Sequence, residues 1–193
     1  MRELIITNIY IFVLATVLAI LEIQIEGPNG WAKNLPTWRP KGNNFFIRIY
    51  KKFMSDREVT GYHITMFSFV FLILHLPYVF GMAPSMFNWL RTISFFFIFV
   101  VLWDFLWFVL NPYHPLKTFS GDHIWWHKKW FAGLPRDYYL SILLSGLVLL
   151  PIVWHYHTVG IIYWWLINLA LFIFQTIMLI LFTLYIYYEL TIG

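Results

Sequence analysis

The sequence predicts an all-α integral membrane protein, folded as a five-helix transmembrane bundle with one or two interfacial helices in its cytoplasmic loops. Two features of the composition support this prediction: 61% of the 193 residues are hydrophobic and only 11% are charged. So few charged residues cannot coat a soluble globule, whereas a surface in contact with lipid needs none. A third feature is the aromatic content of 22%, with 11 Trp and 12 Tyr, which suits side chains placed where a membrane meets water.

Five stretches are apolar and long enough to cross a hydrocarbon core about 30 Å thick, which takes roughly 20 helical residues. Their apolar runs are continuous, and this favours helices over a barrel, whose strands would alternate. The first stretch is interpreted as a retained helix because its apolar run is long for a signal peptide. All five fit a single domain covering residues 1–193, and the predicted spans are 4–24, 64–80, 86–110, 138–154 and 160–188.

Positive charge is concentrated in two of the four loops that join these spans. The other two loops, 81–85 and 155–159, contain no Lys or Arg. In a five-span topology both basic loops lie on one side, so the positive-inside rule predicts that loops 25–63 and 111–137 are cytoplasmic. The N-terminus is then outside and the C-terminus cytoplasmic. The net charge of +4 faces anionic headgroups, so membrane lipids, and not nucleic acid, are the expected charged partners.

The segment FFIRIYKKFM at the end of the first basic loop has the pattern of an amphipathic helix. Its apolar residues at 45, 46, 49 and 53 recur at helical spacing, while the basic residues at 48, 51 and 52 lie elsewhere around the axis. This pattern predicts an interfacial helix lying in the plane of the membrane. Such a helix would anchor the loop or guide an amphiphilic substrate.

The second basic loop contains the segment DHIWWHKKW, preceded by a residue suited to cap a helix, Ser120. In a short helix here, His123 and His127 would lie four residues apart on one face. Two imidazoles at this spacing can converge on one Zn or Fe ion, as in zinc sites and in the histidine boxes of membrane iron oxygenases. Two ligands do not complete a site, so further donors are expected at the same depth.

One carboxylate lies inside the third span. Placing Asp104 in hydrocarbon costs roughly 2.5–3.5 kcal/mol at mid-helix, so it is expected to face a partner or a cavity. Trp107 and Asn111 follow it at i+3 and i+7, and the three form a polar stripe descending toward the HIWWH segment. In the alternative interpretation, Asp104 pairs with an Arg or a His and serves helix packing alone.

Further ionisable residues lie at the same cytoplasmic level: Glu22 and Glu26 end the first span, and His63 begins the second. We therefore predict one polar site at the cytoplasmic end of the bundle. Its predicted metal ligands, for Zn or Fe, are His123, His127, Asp104, Glu26 and His63. Its predicted catalytic residues are Asp104, Glu26 and His127. The residues predicted to bind a cofactor or substrate are Trp107, Asn111, Trp126 and Trp130.

A short element in the first basic loop, PTWRP at residues 36–40, resembles the PxWxP element of tryptophan-rich sensory proteins in the translocator-protein family. The resemblance covers only these residues. The predicted helix number and aromatic richness also resemble the emopamil-binding sterol isomerases. Members of the first family are five-helix binders of porphyrins and sterols, so both resemblances imply a hydrophobic small molecule held between helices.

Three functions are compatible with these features. The leading hypothesis is an enzyme that acts on a lipid or isoprenoid-like substrate with the predicted Zn or Fe site. The alternatives are a protein that binds haem, porphyrin or sterol, and an accessory or structural membrane subunit. Haem is less favoured because His63 and His75, both in the second span, are separated by about 18 Å of helix rise and cannot share one haem.

Overall fold

The computed structural model describes the backbone of residues 2–42, 44–54 and 56–192, and side chains as far as residue 186. Within these residues the chain is mostly helical, with one two-stranded hairpin. The helices are α1 (Arg2–Glu26), α2 (Phe45–Phe53), α3 (Gly61–Val79), α4 (Met86–Leu110), α5 (Arg136–Leu147), α6 (Leu150–Tyr156) and α7 (Gly160–Ile192). The long loops contain 3-10 turns at Gly27–Asn29 and Leu116–Thr118 and the strands β1 (Trp130–Phe131) and β2 (Leu134–Pro135).

Five helical segments of the described chain are long and apolar enough to cross a membrane, and this part of the prediction is confirmed. They are Arg2–Asn29, Gly61–Val79, Met86–Leu110, Arg136–Tyr156 and Gly160–Ile186. The fourth segment consists of two helices, because α5 ends at Leu147 and α6 begins at Leu150. Pro151 explains the break, since proline lacks an N–H and its ring clashes with the carbonyl four residues earlier.

α4 is the central helix of the bundle and contacts α1, α3, α5 and α7. Its buried face carries large side chains, of which Phe99 and Leu106 are completely enclosed. α1 packs along α4, and its small residues Ala15 and Ala19 are fully buried. Small residues let two helix backbones approach closely, which is how helices associate in a membrane.

The outward faces of the long helices α1, α3 and α7 are largely apolar. On α7, for example, Ile173, Phe174 and Phe182 are 61%, 60% and 59% exposed. Monomeric soluble proteins rarely expose continuous apolar surfaces of this kind. These faces suit contact with lipid tails, where the helical backbone already satisfies its own hydrogen bonds.

Both long basic loops lie at the end of the bundle where α1 and α4 finish and α3 and α5 begin, which we call the loop end. The loops contact each other there. The indole N–H of Trp125 donates to the carbonyl of Asn29 at 3.1 Å, and His114 Nε2 lies 2.8 Å from the carbonyl of Pro28. The two loops therefore form one layer on this end of the bundle.

α2 forms where the amphipathic pattern predicts a helix. Asn44 caps it, since its Oδ1 accepts a hydrogen bond from the backbone N–H of Ile47 at 2.9 Å. Ile47 is buried, while Phe45 remains 70% exposed. The basic residues of the helix, at 48, 51 and 52, are all exposed. Exposed apolar and basic side chains on one short helix suit the boundary between lipid and water.

The helix predicted for the HIWWH segment is not formed, and this prediction was wrong. Residues 120–129 are turns and irregular backbone, in which the N–H groups of His123 and Ile124 both bond to the carbonyl of Ser120. Ser120 Oγ lies 2.9 Å from His123 Nδ1, so this side chain binds the histidine and does not cap a helix. His123 is exposed and His127 is buried, so the two do not share one face.

Candidate functional site

A cavity of about 330 Å³ lies at the loop end, between α1, α2, α3, α4 and α5. Much of its wall is apolar, with side chains such as Phe46 and Ile49 from α2 and Phe96 and Val100 from α4. The ionisable residues that line it are Glu22, Glu26, Arg57, His63, Asp104, Asp137, Tyr50 and Tyr138. An apolar cavity with a few converging polar groups has the general form of a small-molecule site.

Glu22, Glu26 and His63 meet at the wall of this cavity, and we call them the carboxylate–histidine group. Glu22 and Glu26 are one turn apart on α1 and share a face, while His63 lies in the first turn of α3. His63 Nε2 is 3.7 Å from Glu22 Oε1 and 3.5 Å from Glu26 Oε1. All three side chains are buried. Because buried charge is costly without compensation, the two carboxylates require a proton or a cation beside them.

The spacing of this group is compatible with a bound metal ion. One ligand atom from each residue lies within 4.8 Å of the others. Separations of 3.5 and 3.7 Å are long for an N–H···O hydrogen bond. They are close to the edge of a tetrahedron around a metal ion with bonds of about 2.0–2.2 Å. Three such ligands would leave one coordination position for water or substrate, as in catalytic zinc sites.

Neighbouring residues hold the carboxylate–histidine group in place. His63 Nδ1 lies 2.7 Å from Thr60 Oγ1, which leaves Nε2 for the carboxylates. The imidazole stacks on Trp31, with ring centroids 3.8 Å apart and planes 17° apart. The backbone N–H of Ala32 donates to Glu26 Oε1. Contacts of this kind fix the direction of metal ligands and are typical of metal sites.

The turn at Gly30–Ala32 places Trp31 and Ala32 beside this group. Gly30, Trp31 and Ala32 have φ values of 62°, 46° and 49°, a region that residues other than glycine rarely adopt. Trp31 and Ala32 are both buried, so packing offsets the backbone strain. At Gly30 a Cβ would lie 2.5 Å from Cη2 of Trp126. Glycine therefore allows the second loop to approach the first.

A second group, the arginine cluster, consists of Arg57, Asp104, His127, Asp137 and Tyr138. Arg57 Nη1 lies 3.4 Å from Asp104 Oδ1, and Nη2 donates to Asp137 Oδ2. His127 Nε2 is 3.1 Å from Asp104 Oδ2, and its Nδ1 is 3.5 Å from Asp137 Oδ1. The hydroxyl of Tyr138 donates to Asp104. The cluster thus joins α4, α5 and both basic loops.

The charge of Arg57 is stabilised where it lies. Burial lowers the pKa of the Arg57 guanidinium, but the carboxylates of Asp104 and Asp137 raise it, and the net result is a pKa above the ordinary value. The guanidinium is therefore a permanent positive charge that faces two carboxylates. Arg57 also lies 4.5 Å from the ring centroid of Trp31, within range of a cation–π interaction. Trp31 therefore contacts both polar groups.

The predicted metal ligands lie in two groups and not in one. Glu26 and His63 belong to the carboxylate–histidine group, whereas Asp104 and His127 belong to the arginine cluster. His123 is in neither group, because the turn that replaces the predicted helix leaves it exposed. The five residues therefore do not converge on one point.

Asp104 has the partners that the packing interpretation predicts, an Arg and a His. It also lines the cavity, so it can contact a bound molecule as well as support the fold. His127 is 1% exposed and is not among the residues described as lining the cavity. Its contacts with Asp104 and Asp137 make it a positioning residue for those carboxylates.

Two of the four residues predicted to bind a cofactor or substrate, Trp107 and Trp126, line the cavity. Trp130 lies in β1, where its indole N–H donates to the carbonyl of His127 at 2.6 Å. Asn111 follows the last residue of α4, and its Oδ1 accepts the backbone N–H two residues later at 3.0 Å. The last two residues therefore support the loop and the helix end.

No pattern in the sequence identifies Arg57, Asp137 or Trp31 as parts of the site. Arg57 is one of several charges in its loop, and nothing in its neighbours in the sequence indicates burial. Asp137 lies at a predicted loop boundary, where carboxylates are common. Glu22 is placed at the correct level but is not predicted as a ligand, although its i, i+4 relation to Glu26 is a usable signal.

Comparisons with known proteins do not assign this site. No protein-family model matches the chain, and neither a curated protein nor a solved structure gives a significant match. The comparisons thus add no family to the resemblances noted from the sequence. The function is inferred from the geometry and chemistry of the described residues.

Replacing Asp104 by Asn is expected to destabilise the loop end, because it removes a charge that faces Arg57 and His127. Breaking one partner of a buried ion pair costs about 3–5 kcal/mol, and the loss here is expected near or below the lower end of that range because the Asp104 side chain is 21% exposed. The measurement is the thermal unfolding midpoint of the purified protein in detergent. The matched control is Asp56→Asn, since Asp56 pairs with Lys129 at the surface, where ion pairs contribute little. Equal shifts in the two variants would contradict the buried cluster.

Gly30→Ala is expected to lower the unfolding midpoint more than Gly27→Ala does. Both glycines have positive φ values, 62° and 61°, and Gly30 also has a ψ of 166°, a combination essentially restricted to glycine. Only the new Cβ at Gly30 would also meet Trp126, since no atom of the described residues lies within 4 Å of a Cβ at Gly27. Thermal unfolding of the two variants measures the combined cost of this contact and of the Gly30 backbone conformation. If their midpoints agree, Trp126 does not pack against Gly30.

Proposed function

We propose that the protein is a metal-dependent membrane enzyme that acts on a lipid or isoprenoid-like substrate at the loop end of the bundle. The observation that supports this most strongly is that the carboxylate–histidine group lines an apolar cavity. A purely structural ion pair needs no cavity beside it. A simple lipid-binding pocket needs no buried pair of carboxylates with an imidazole. An enzyme for an amphiphilic substrate requires both features together.

In this proposal Glu22, Glu26 and His63 bind Zn²⁺ or Fe²⁺. The set differs from the sequence prediction, because Glu22 joins it while the HIWWH histidines and the α4 carboxylate leave it. One imidazole and two carboxylates are suitable ligands for either ion. A bound ion would polarise an oxygen of the substrate or activate a water molecule. Without a metal ion, Glu26 and His63 would serve as acid and base.

Asp104 and Tyr138 are the adjacent groups for proton transfer. Both line the cavity, and the hydroxyl of Tyr138 donates to Asp104. Arg57 and His127 hold this carboxylate in one orientation. A carboxylate fixed beside a substrate can accept a proton from it or from water. The arginine cluster therefore supports the reaction by holding Asp104 in one orientation.

We also propose that the loop end is cytoplasmic, with the N-terminus outside and the C-terminus inside. The support is the charge asymmetry between the two ends of the bundle. Headgroups of anionic lipids would then face the basic residues of α2 and its neighbouring loops.

Protein purified without chelator is expected to contain about one equivalent of Zn or Fe, measured by elemental analysis. Glu22→Gln keeps the side-chain size but weakens a ligand, so it should lower the metal affinity at least about tenfold. His123→Ala is the matched control and should retain the metal, because His123 is exposed.

If the wild-type protein is purified without bound metal, the proposal of a metal-dependent enzyme is contradicted. The same conclusion follows if Glu22→Gln and His63→Ala leave the metal content unchanged while the unfolding midpoint shows that they fold. A Soret absorption band would favour the haem-binding alternative.

The orientation can be tested with single cysteines, because the chain contains none. Lys41 in the first basic loop and His157 between α6 and α7 are both exposed. In intact cells, a membrane-impermeant maleimide is expected to label the His157→Cys variant. The Lys41→Cys variant should react only after permeabilisation, and the unaltered protein should not react. If only the Lys41→Cys variant is labelled in intact cells, the orientation is the opposite of the one proposed.

A further inference from the structure

The apolar part of the cavity is elongated along α4. The lining residues on this helix extend from Phe96 to Phe108, about 18 Å of helix rise, and the part between Phe96 and Asp104 accounts for about 12 Å of it. Polar groups line one end of this stretch, and the other end lies toward the middle of a membrane-spanning helix. A ligand with one polar head and an extended apolar chain fits this distribution.

α2 forms one side of the same cavity through Phe46, Ile49 and Phe53. These side chains are also 52%, 39% and 47% exposed, so they reach both the cavity and the surroundings of the protein. An amphipathic helix at this position lies at the boundary of lipid and water. A chain-bearing ligand can therefore pass from the lipid into the cavity along α2.

Three residues that line the cavity each carry a buried hydrogen-bond donor with no partner among the described residues: Tyr50 Oη, Arg57 Nε and Trp107 Nε1. Burial raises the pKa of the Tyr50 hydroxyl well above its ordinary value, so this group stays neutral and can donate. Leaving a buried donor unsatisfied costs about 1–3 kcal/mol. Oxygen acceptors on a bound molecule would satisfy these groups.

The charge at the polar end of the cavity disfavours a ligand whose head group is negatively charged. Four carboxyl groups and one guanidinium line the cavity, so acidic side chains outnumber basic ones at its polar end. A phosphate or free carboxylate head would meet like charge in a poorly hydrated site, which is strongly unfavourable. A neutral oxygen can accept the available hydrogen bonds without this repulsion.

We propose that the cavity binds a neutral, oxygen-bearing amphiphile, a long-chain or isoprenoid alcohol or the aldehyde or ester derived from it. Its oxygen lies near Tyr50, Arg57 and Trp107, and its chain lies along α4 beside α2. The inference deepens the proposed function and rests on it for the choice of site, although binding through these donors does not require the metal.

The test uses the full chain in phosphatidylcholine vesicles and a sixteen-carbon alcohol that carries a photoreactive diazirine on its chain. The probe is expected to label peptides of α2 and α4. Unlabelled hexadecanol should compete for labelling at least about tenfold better than hexadecyl phosphate or palmitate. Equal or stronger competition by either anion would overturn the proposal.

Tyr50→Phe removes one donor but keeps the ring, and it should weaken competition by hexadecanol about five- to tenfold. The matched control is Tyr62→Phe, because the Tyr62 hydroxyl is also buried without a partner among the described residues but does not line the cavity. If hexadecanol competes for labelling of both variants as well as it does for the unaltered protein, the ligand oxygen does not lie at Tyr50 and the proposal is wrong.

Metal content measured on the same preparations separates this inference from the proposed function. If metal-free protein prefers hexadecanol to the anionic competitors, the proposed metal-dependent function is refuted, whereas the proposed neutral amphiphilic ligand is supported. If the protein binds the metal but shows no preference for the alcohol, the proposed neutral ligand is refuted and the proposed metal site is not.

Discussion

The buried positive charge of Arg57 is the interaction on which the loop end of this bundle depends. Its guanidinium is nearly inaccessible and contacts Asp104 of α4 and Asp137 of α5. A buried charge is tolerated only with compensation and hydrogen bonds, so these contacts fix the two helices relative to the loop that precedes α3. Arg57 also contacts the ring of Trp31, which lies in the turn that follows α1, so this turn is held against the same charge. One residue from an irregular loop thus links four parts of the chain.

The two polar groups differ in how their charge is balanced. In the arginine cluster, a permanent cation faces the carboxylates of Asp104 and Asp137. In the carboxylate–histidine group, Glu22 and Glu26 lie beside the imidazole of His63, Glu26 also accepts the backbone N–H of Ala32, and neither carboxyl group forms an ion pair with Lys or Arg among the described residues. This difference is the physical reason for assigning a structural role to the arginine cluster and the proposed metal binding to the carboxylate–histidine group. Because both line one cavity, the support acts directly on the site.

Aromatic packing holds the two basic loops against the same end of the bundle. Trp31 from the first loop stacks on His63, and Trp126 from the second packs on Phe108 of α4 and against Gly30. Aromatic pairs contribute burial together with a preferred geometry, so they order long segments that have little regular secondary structure. The site is therefore built largely from loops, on helices that provide a rigid base.

The sequence by itself determined the five apolar helices and the amphipathic α2, because hydropathy and periodicity are local properties. It also indicated that Asp104 needs a partner, since a carboxylate inside a span is costly. Only the tertiary structure decided that this partner is Arg57 with His127, that His123 is exposed, and that Glu22 joins Glu26 and His63. Those outcomes depend on how two irregular loops fold over the bundle, and contacts between residues distant in sequence carry no local signal.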